Sequence, residues 1–294
     1  MGQNLCFDRQ FPLIVQQALN KKGVLITMTA SSSVVKLTAR TALKNNWLKA
    51  IAACMSVISV FIIISGIASL VSFVGGDIAA YICEAVLGFL LLLPLCHGLI
   101  RFFWRLLFGA DDSPLSVFYF FSGKAEYLRA MHIITALCLR LVFFGIILYI
   151  PALIVDIFGG VKIYDLLDIP IPLWTSNLYY LSLFLKIVAT VLLFFVMLRY
   201  YAAPILSVAD EDMDAAEAVH MSSVIYKRTM LDFIYLFFSF LGWLLLSLTV
   251  IPIIFAMPYF IASVCVHTRF AVAEYNSFEE LKRNSDIPKY VTGA

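Results

Sequence analysis

Residues 233–266 read FIYLFFSFLGWLLLSLTVIPIIFAMPYFIASVCV, 34 residues without one charged side chain. As a single helix this run would extend about 51 Å, far beyond the ~30 Å of hydrocarbon in a bilayer. Pro252 and Pro258 mark where it should break, because an interior proline loses a backbone hydrogen bond and clashes with the preceding turn. The run therefore predicts two spans, Met230–Leu248 and Pro258–Ala273, joined by a tight reversal between Leu248 and Pro258.

Working outward, four more runs have the length a span needs. Ala50–Val74 is uncharged and ends at Gly75-Gly76-Asp77. The next begins at Ile78, passes Glu84 and Pro94, and ends before Arg101, with Phe102–Phe108 as an interfacial continuation. Ala130–Val155 contains His132 and Arg140 and closes on Asp156 and Gly159-Gly160; Leu178–Leu198 contains Lys186. The sequence thus predicts an all-α polytopic transmembrane bundle with six spans, at 50–74, 78–100, 130–155, 178–198, 230–248 and 258–273.

Composition agrees. Of 294 residues, 62% are hydrophobic and 14% charged, against about 45–50% and about 25% in soluble domains. A net charge of +2, without basic residues interleaved with aromatics, gives no reason to expect nucleic-acid binding. Lys and Arg resist translocation and collect on the cytoplasmic side. Seven precede the first span, four lie between the second and third, three between the fourth and fifth, and four lie in the last turn of the sixth (Arg269) or beyond it (Lys282, Arg283 and Lys289), leaving Lys162 alone on the other side, eighteen against one. That alternation requires an even number of spans and places both termini in the cytoplasm. The chain then divides into an N-terminal cytoplasmic segment (1–32), a six-span membrane domain (33–275) and a cytoplasmic tail (276–294). Residues 1–30 lack the apolar core and cleavage site of a signal peptide, and Met28 is an alternative start.

Three ionisable residues fall well inside spans, where charge is costly and normally faces protein or water. Arg140 and Lys186 lie about 14–15 Å in, and Glu84 about 8–9 Å from the outer surface, so a Glu84 pair with one of the bases is sterically plausible. These residues form either a structural ion pair with snorkelling side chains or a buried polar pocket for an anion or proton relay. Asp210, Asp212, Asp214 and Glu217 mark the start of a cytoplasmic helix, with capping-box spacing between Asp214 and Glu217. A metal site there, with His220, lacks both a calcium-loop glycine and a second Glu-x-x-His, and neither metal nor cofactor is expected. Ser239, Gly242 and Trp243, with Pro258 and Tyr259, read as a packing motif in which small residues let helices approach; Ser65 and Ser69 offer another such face. His97, His132 and His267 sit at inner span ends without triad partners. Five of the six cysteines lie in apolar runs as packing residues, and GxSxG, HExxH and P-loop motifs are absent, so no enzymatic activity is expected.

The order of motifs resembles a bacterial membrane family catalogued as domain of unknown function 975. Val35-Lys36-Leu37-Thr38-Ala39-Arg40, Leu43-Lys44-Asn45-Asn46-Trp47, Leu93-Pro94-Leu95 with Gly98, Tyr200-Tyr201-Ala202-Ala203-Pro204, Glu217-Ala218 with Ser222, Ser239-Phe240-Leu241-Gly242-Trp243 and Pro258-Tyr259 carry the resemblance. It implies a multi-pass protein of the bacterial plasma membrane and assigns no catalytic residue. The resulting expectation is a non-enzymatic protein acting by helix packing or envelope organisation, its partners being the lipid bilayer, other membrane proteins or a second copy. The alternative is a transporter of small molecules or lipids.

Overall fold

The computed structural model describes residues 31–108, 112–159, 175–242 and 250–286, and every regular element among them is helical. In chain order these are α1 (Ser32–Leu43), α2 (Trp47–Leu87), a π-helical turn (Gly88–Leu92), α3 (Leu93–Phe108), a 3₁₀ helix (Pro114–Phe121), α4 (Lys124–Gly159), α5 (Thr175–Arg199), α6 (Ala203–Ala209), α7 (Ala215–Phe238) and α8 (Val250–Asp286). Four stretches are long and apolar enough to cross a membrane: Trp47–Phe108, Lys124–Phe158, Asn177–Ala209 and Ile254–Phe278. They are the apolar helices of a membrane-embedded protein.

The first of these stretches is 62 residues long, about 93 Å if straight. It is not straight. Gly76 has φ 76° and ψ 176°, a conformation open essentially to glycine alone. Ser65 Oγ donates to Glu84 Oε1 at 3.3 Å and Ser72 Oγ to Asp77 Oδ1 at 2.8 Å; a continuous helix would hold the first pair about 28 Å apart. Both pairs are centred on the same point in the sequence, between Val74 and Gly75, so α2 is an antiparallel hairpin folded at the Gly75-Gly76-Asp77 signal.

Further along, Pro94 cannot donate to the carbonyl one turn before it, and the helix widens into a π turn immediately ahead of it. The Leu90 carbonyl, which a regular helix would pair with residue 94, instead accepts the Tyr127 hydroxyl at 3.0 Å. Gly98 then permits a very close backbone approach: a Cβ there would lie 1.9 Å from the Val117 carbonyl oxygen. This glycine lets the 3₁₀ helix lie directly on α3.

Two compact units result. The first takes the chain up to Ile134 and from Ala202 onward; the second is Thr135–Tyr201. In the first, α1 packs on α8, and α3 packs on the 3₁₀ helix, α6 and α8. Its core holds Val35, Ala39, Leu43, Leu95, Leu99, Phe102, Phe103 and Val117, each at most 3% exposed. In the second unit the α4 and α5 segments run antiparallel: Gly145 faces Leu193, the Tyr149 hydroxyl meets Thr190 Oγ1 at 2.7 Å, and Asp156 meets both Ser182 and Lys186.

The last apolar run differs from expectation in where the chain turns. Helix α7 is continuous from Ala215 to Phe238, and α8 is already helical at Val250, so Pro252 and Pro258 lie within one helix. Pro252 falls in the first turn, where a missing N–H costs nothing, and Pro258 removes a single interior hydrogen bond. Residues 243–249, which include Trp243, lie outside the described residues. Helix α8 runs on to Asp286, through the first half of the expected tail.

Candidate functional site

Each of the three intramembrane charges has a local partner. Lys186 Nζ lies 2.7 Å from Asp156 Oδ2, with both side chains a little under half exposed, and Ser182 also donates to Asp156. Arg140 donates to the Ala136 carbonyl at 3.3 Å and lies 6.0 Å from the Tyr200 ring centroid. Glu84 accepts from Ser65 across the hairpin. Asp156, read from the sequence as a span terminator, thus takes the role of Lys186's counter-ion.

A denser polar cluster gathers where α3 meets the 3₁₀ helix. His97, Arg101 and Arg105 recur every four residues and so project from one side of α3. The His97 ring is 5% exposed and stacks on Phe120 at 4.7 Å, and its Nδ1 is buried without a hydrogen-bond partner. Arg101, 7% exposed, lies over the Tyr119 ring at 3.5 Å. Among the described residues its nearest carboxylate is Glu211, 4.0 Å away on a side chain 62% exposed. Arg105 holds Asp112 at 2.8 Å, and Arg129 acts electrostatically on His97.

The acidic segment is arranged as the spacing predicts, with one difference. Asp214 occupies the N-cap of α7 and Glu217 its first turn, but no side-chain capping bond forms. Instead Asp210 Oδ1 accepts the Asp212 N–H at 3.1 Å, a turn that presents Glu211 towards Arg101. Among the described residues, no group of three or more His, Cys, Asp or Glu side chains is placed to hold a metal ion.

The packing motif meets the N-terminal helix. Lys36 Nζ donates to the Ser239 carbonyl at 2.9 Å and lies 4.5 Å from the Phe240 ring centroid. Ser32 Oγ donates to Ser239 Oγ at 3.3 Å, and the Tyr259 hydroxyl donates to the Lys36 carbonyl at 3.3 Å. Burial pushes the Lys36 ammonium below the usual lysine range. Pro258 precedes this tyrosine by one residue, whereas Gly242 is exposed and a Cβ there would meet nothing within 4 Å among the described residues. Residues 36, 239, 240 and 259 all belong to the motifs quoted above.

Comparison with family models, with curated proteins and with solved structures finds no match. The functional reading therefore rests on the residues.

Sequence reasoning does not bring Arg101, His97, Tyr119 and Glu211 together: His97 reads as a span-end histidine without a triad partner, Glu211 as part of the acidic segment, and Tyr119 is not singled out. Arg101 reads as an ordinary span-end charge, because what buries it is the 3₁₀ helix folding back through Gly98. The available signal was the four-residue recurrence of His97, Arg101 and Arg105, followed by the aromatic run Phe118–Phe121.

Proposed function

We propose that this chain is a six-span plasma-membrane protein with both termini in the cytoplasm, non-enzymatic, acting by helix packing with membrane partners or a second copy. The observation that carries this reading is that Glu84, Arg140 and Lys186 are each engaged by side chains or backbone of their own unit. A ligand pocket would leave such groups free to converge on a substrate. The hairpin at Gly76 supports two spans in the first apolar stretch. The outward faces of α4 and α5, with Val142, Phe143, Ile146, Tyr180 and Phe184 exposed, suit lipid. Leu231, Tyr235 and Phe238 line one face of α7 while Phe233 and Leu236 are buried on the other, which suits a fifth span against the bundle. Kinship with domain of unknown function 975 is part of the proposal, supported by the meeting of Lys36, Ser239 and Tyr259.

The test is a pair of measurements on Lys186→Met and Arg140→Met. Packing predicts a lower unfolding temperature in detergent and weaker co-purification of partners, with no saturable solute flux in proteoliposomes for either wild type or variant. Saturable flux lost in both variants at unchanged stability would refute it. One observation favours a transporter as the second reading: a π turn, a feature frequent at functional sites, lies directly before Pro94 and close to His97 with its unpartnered Nδ1. That reading expects Pro94→Ala and His97→Gln to alter flux.

A further inference from the structure

Arg101 is a buried charge that is only weakly neutralised among the described residues. Burying a guanidinium costs several kcal/mol unless it is paired at close range. Arg101 is 7% exposed, yet its carboxylate partner stands at 4.0 Å, beyond hydrogen-bond distance, on a side chain that is itself mostly in solvent. The other acid within electrostatic range, Asp112, is already held by Arg105 at 2.8 Å. Among the described residues, Arg101 and Arg105 at this end of α3 face two acids, Asp112 and Glu211, the first of them taken by Arg105, and Arg129 adds a positive charge within range of His97. One turn before Arg101 lies His97, its ring buried and its Nδ1 without a partner. The partners of the two side chains, Tyr119 and Phe120, are consecutive residues of the same 3₁₀ helix.

We propose that Arg101, stacked on Tyr119 and flanked by Arg105, is a binding site for a phosphate-class anion, with the Glu211 carboxylate as its internal competitor. A planar guanidinium fixed by an aromatic face is pre-organised for bidentate recognition of phosphate. Tyr119 supplies that face and sets the orientation. Glu211 reports the route of approach: a side chain 62% exposed reaches Arg101 from solvent, so an anion arriving along the same path displaces it without unpacking α3. The shared chemistry is a phosphate group, whether from a lipid headgroup at the membrane surface or from a free phosphate. Neither source is required by the packing role proposed above.

The test uses the full-length protein in nanodiscs of phosphatidylcholine, titrated with inorganic phosphate in one arm and reconstituted with increasing phosphatidylglycerol in the other. The readouts are binding affinity and unfolding temperature, at constant ionic strength. Glu211→Gln removes the competitor and is expected to tighten binding by about tenfold, the effect of one charge-assisted contact. Arg101→Gln is expected to weaken it by a similar factor, and Arg40→Gln, an exposed arginine on α1, to leave it within about twofold. Binding in the lipid arm alone assigns the site to a headgroup, and binding in both assigns it to the phosphate itself. Absence of binding in both arms overturns the proposal, as does equal loss in Arg40→Gln and Arg101→Gln. If Arg101→Gln does not fold, unchanged affinity in Glu211→Gln overturns it alone.

Discussion

The two units are held together by different means. In the first, large side chains fill the interior: Phe102, Phe103, Leu43, Leu95 and Val117 are fully or almost fully buried around α3. In the second, the buried residues among those described are the small Ala152, Ser182 and Ala189 and, larger, Leu198, while phenylalanines, isoleucines and tyrosines are exposed. Gly145, Tyr149, Ala152 and Asp156 recur along one face of α4, so the contact with α5 is a seam of small and polar groups. In lipid the tails are as apolar as leucine, and helices associate through close approach and hydrogen bonds rather than by hiding apolar surface. The second unit follows that logic, whereas the first is packed more like the core of a soluble domain.

That contrast makes graded expectations for unfolding of the purified protein in detergent. Phe103→Ala should cost about 3–5 kcal/mol by leaving a cavity, whereas Phe143→Ala, on the outward face of α4, should cost under about 0.5 kcal/mol. Equal losses would dissolve the distinction between the units. Gly98→Ala should cost about 2–3 kcal/mol, because the new methyl group meets the Val117 carbonyl and the 3₁₀ helix must move. Chemical-shift or protease-accessibility changes confined to residues 114–121 would check the cause.

Gly76→Ala should cost about 1–3 kcal/mol through backbone strain alone, since a side chain there would meet no neighbour. Asp77→Asn, which keeps an acceptor for Ser72, should be milder. Within the second unit, Tyr149→Phe removes the bond to Thr190 and should cost only about 0.6 kcal/mol, the usual worth of such a contact between membrane helices. Lys186→Met should lower the unfolding temperature by leaving Asp156 without its base, and adding Asp156→Asn should recover most of the loss. Failure of that recovery would show that the two do not act as a pair.

Much of this was legible in the sequence where the cause is local. Run lengths located the apolar helices, and Gly75-Gly76-Asp77 located the hairpin because only glycine accepts the torsion found at Gly76. The acidic spacing located the start of α7 at Asp214. What was not legible depends on register between elements distant in sequence. Asp156 and Lys186 are thirty residues apart, and their meeting follows from how α4 and α5 are offset. Arg101 is buried only because residues 114–121 return across Gly98. The prolines misplaced the final turn because both are absorbed into helix α8, one of them in its first turn.

The proposed six-span arrangement with both ends inside is tested by a pair of reporters fused after Ala294, a fluorescent protein that matures only in the cytoplasm and a phosphatase active only outside. The charge asymmetry and the hairpin at Gly76 predict a bright fluorescent fusion and an inactive phosphatase. An active phosphatase with a dark fluorescent fusion would contradict them.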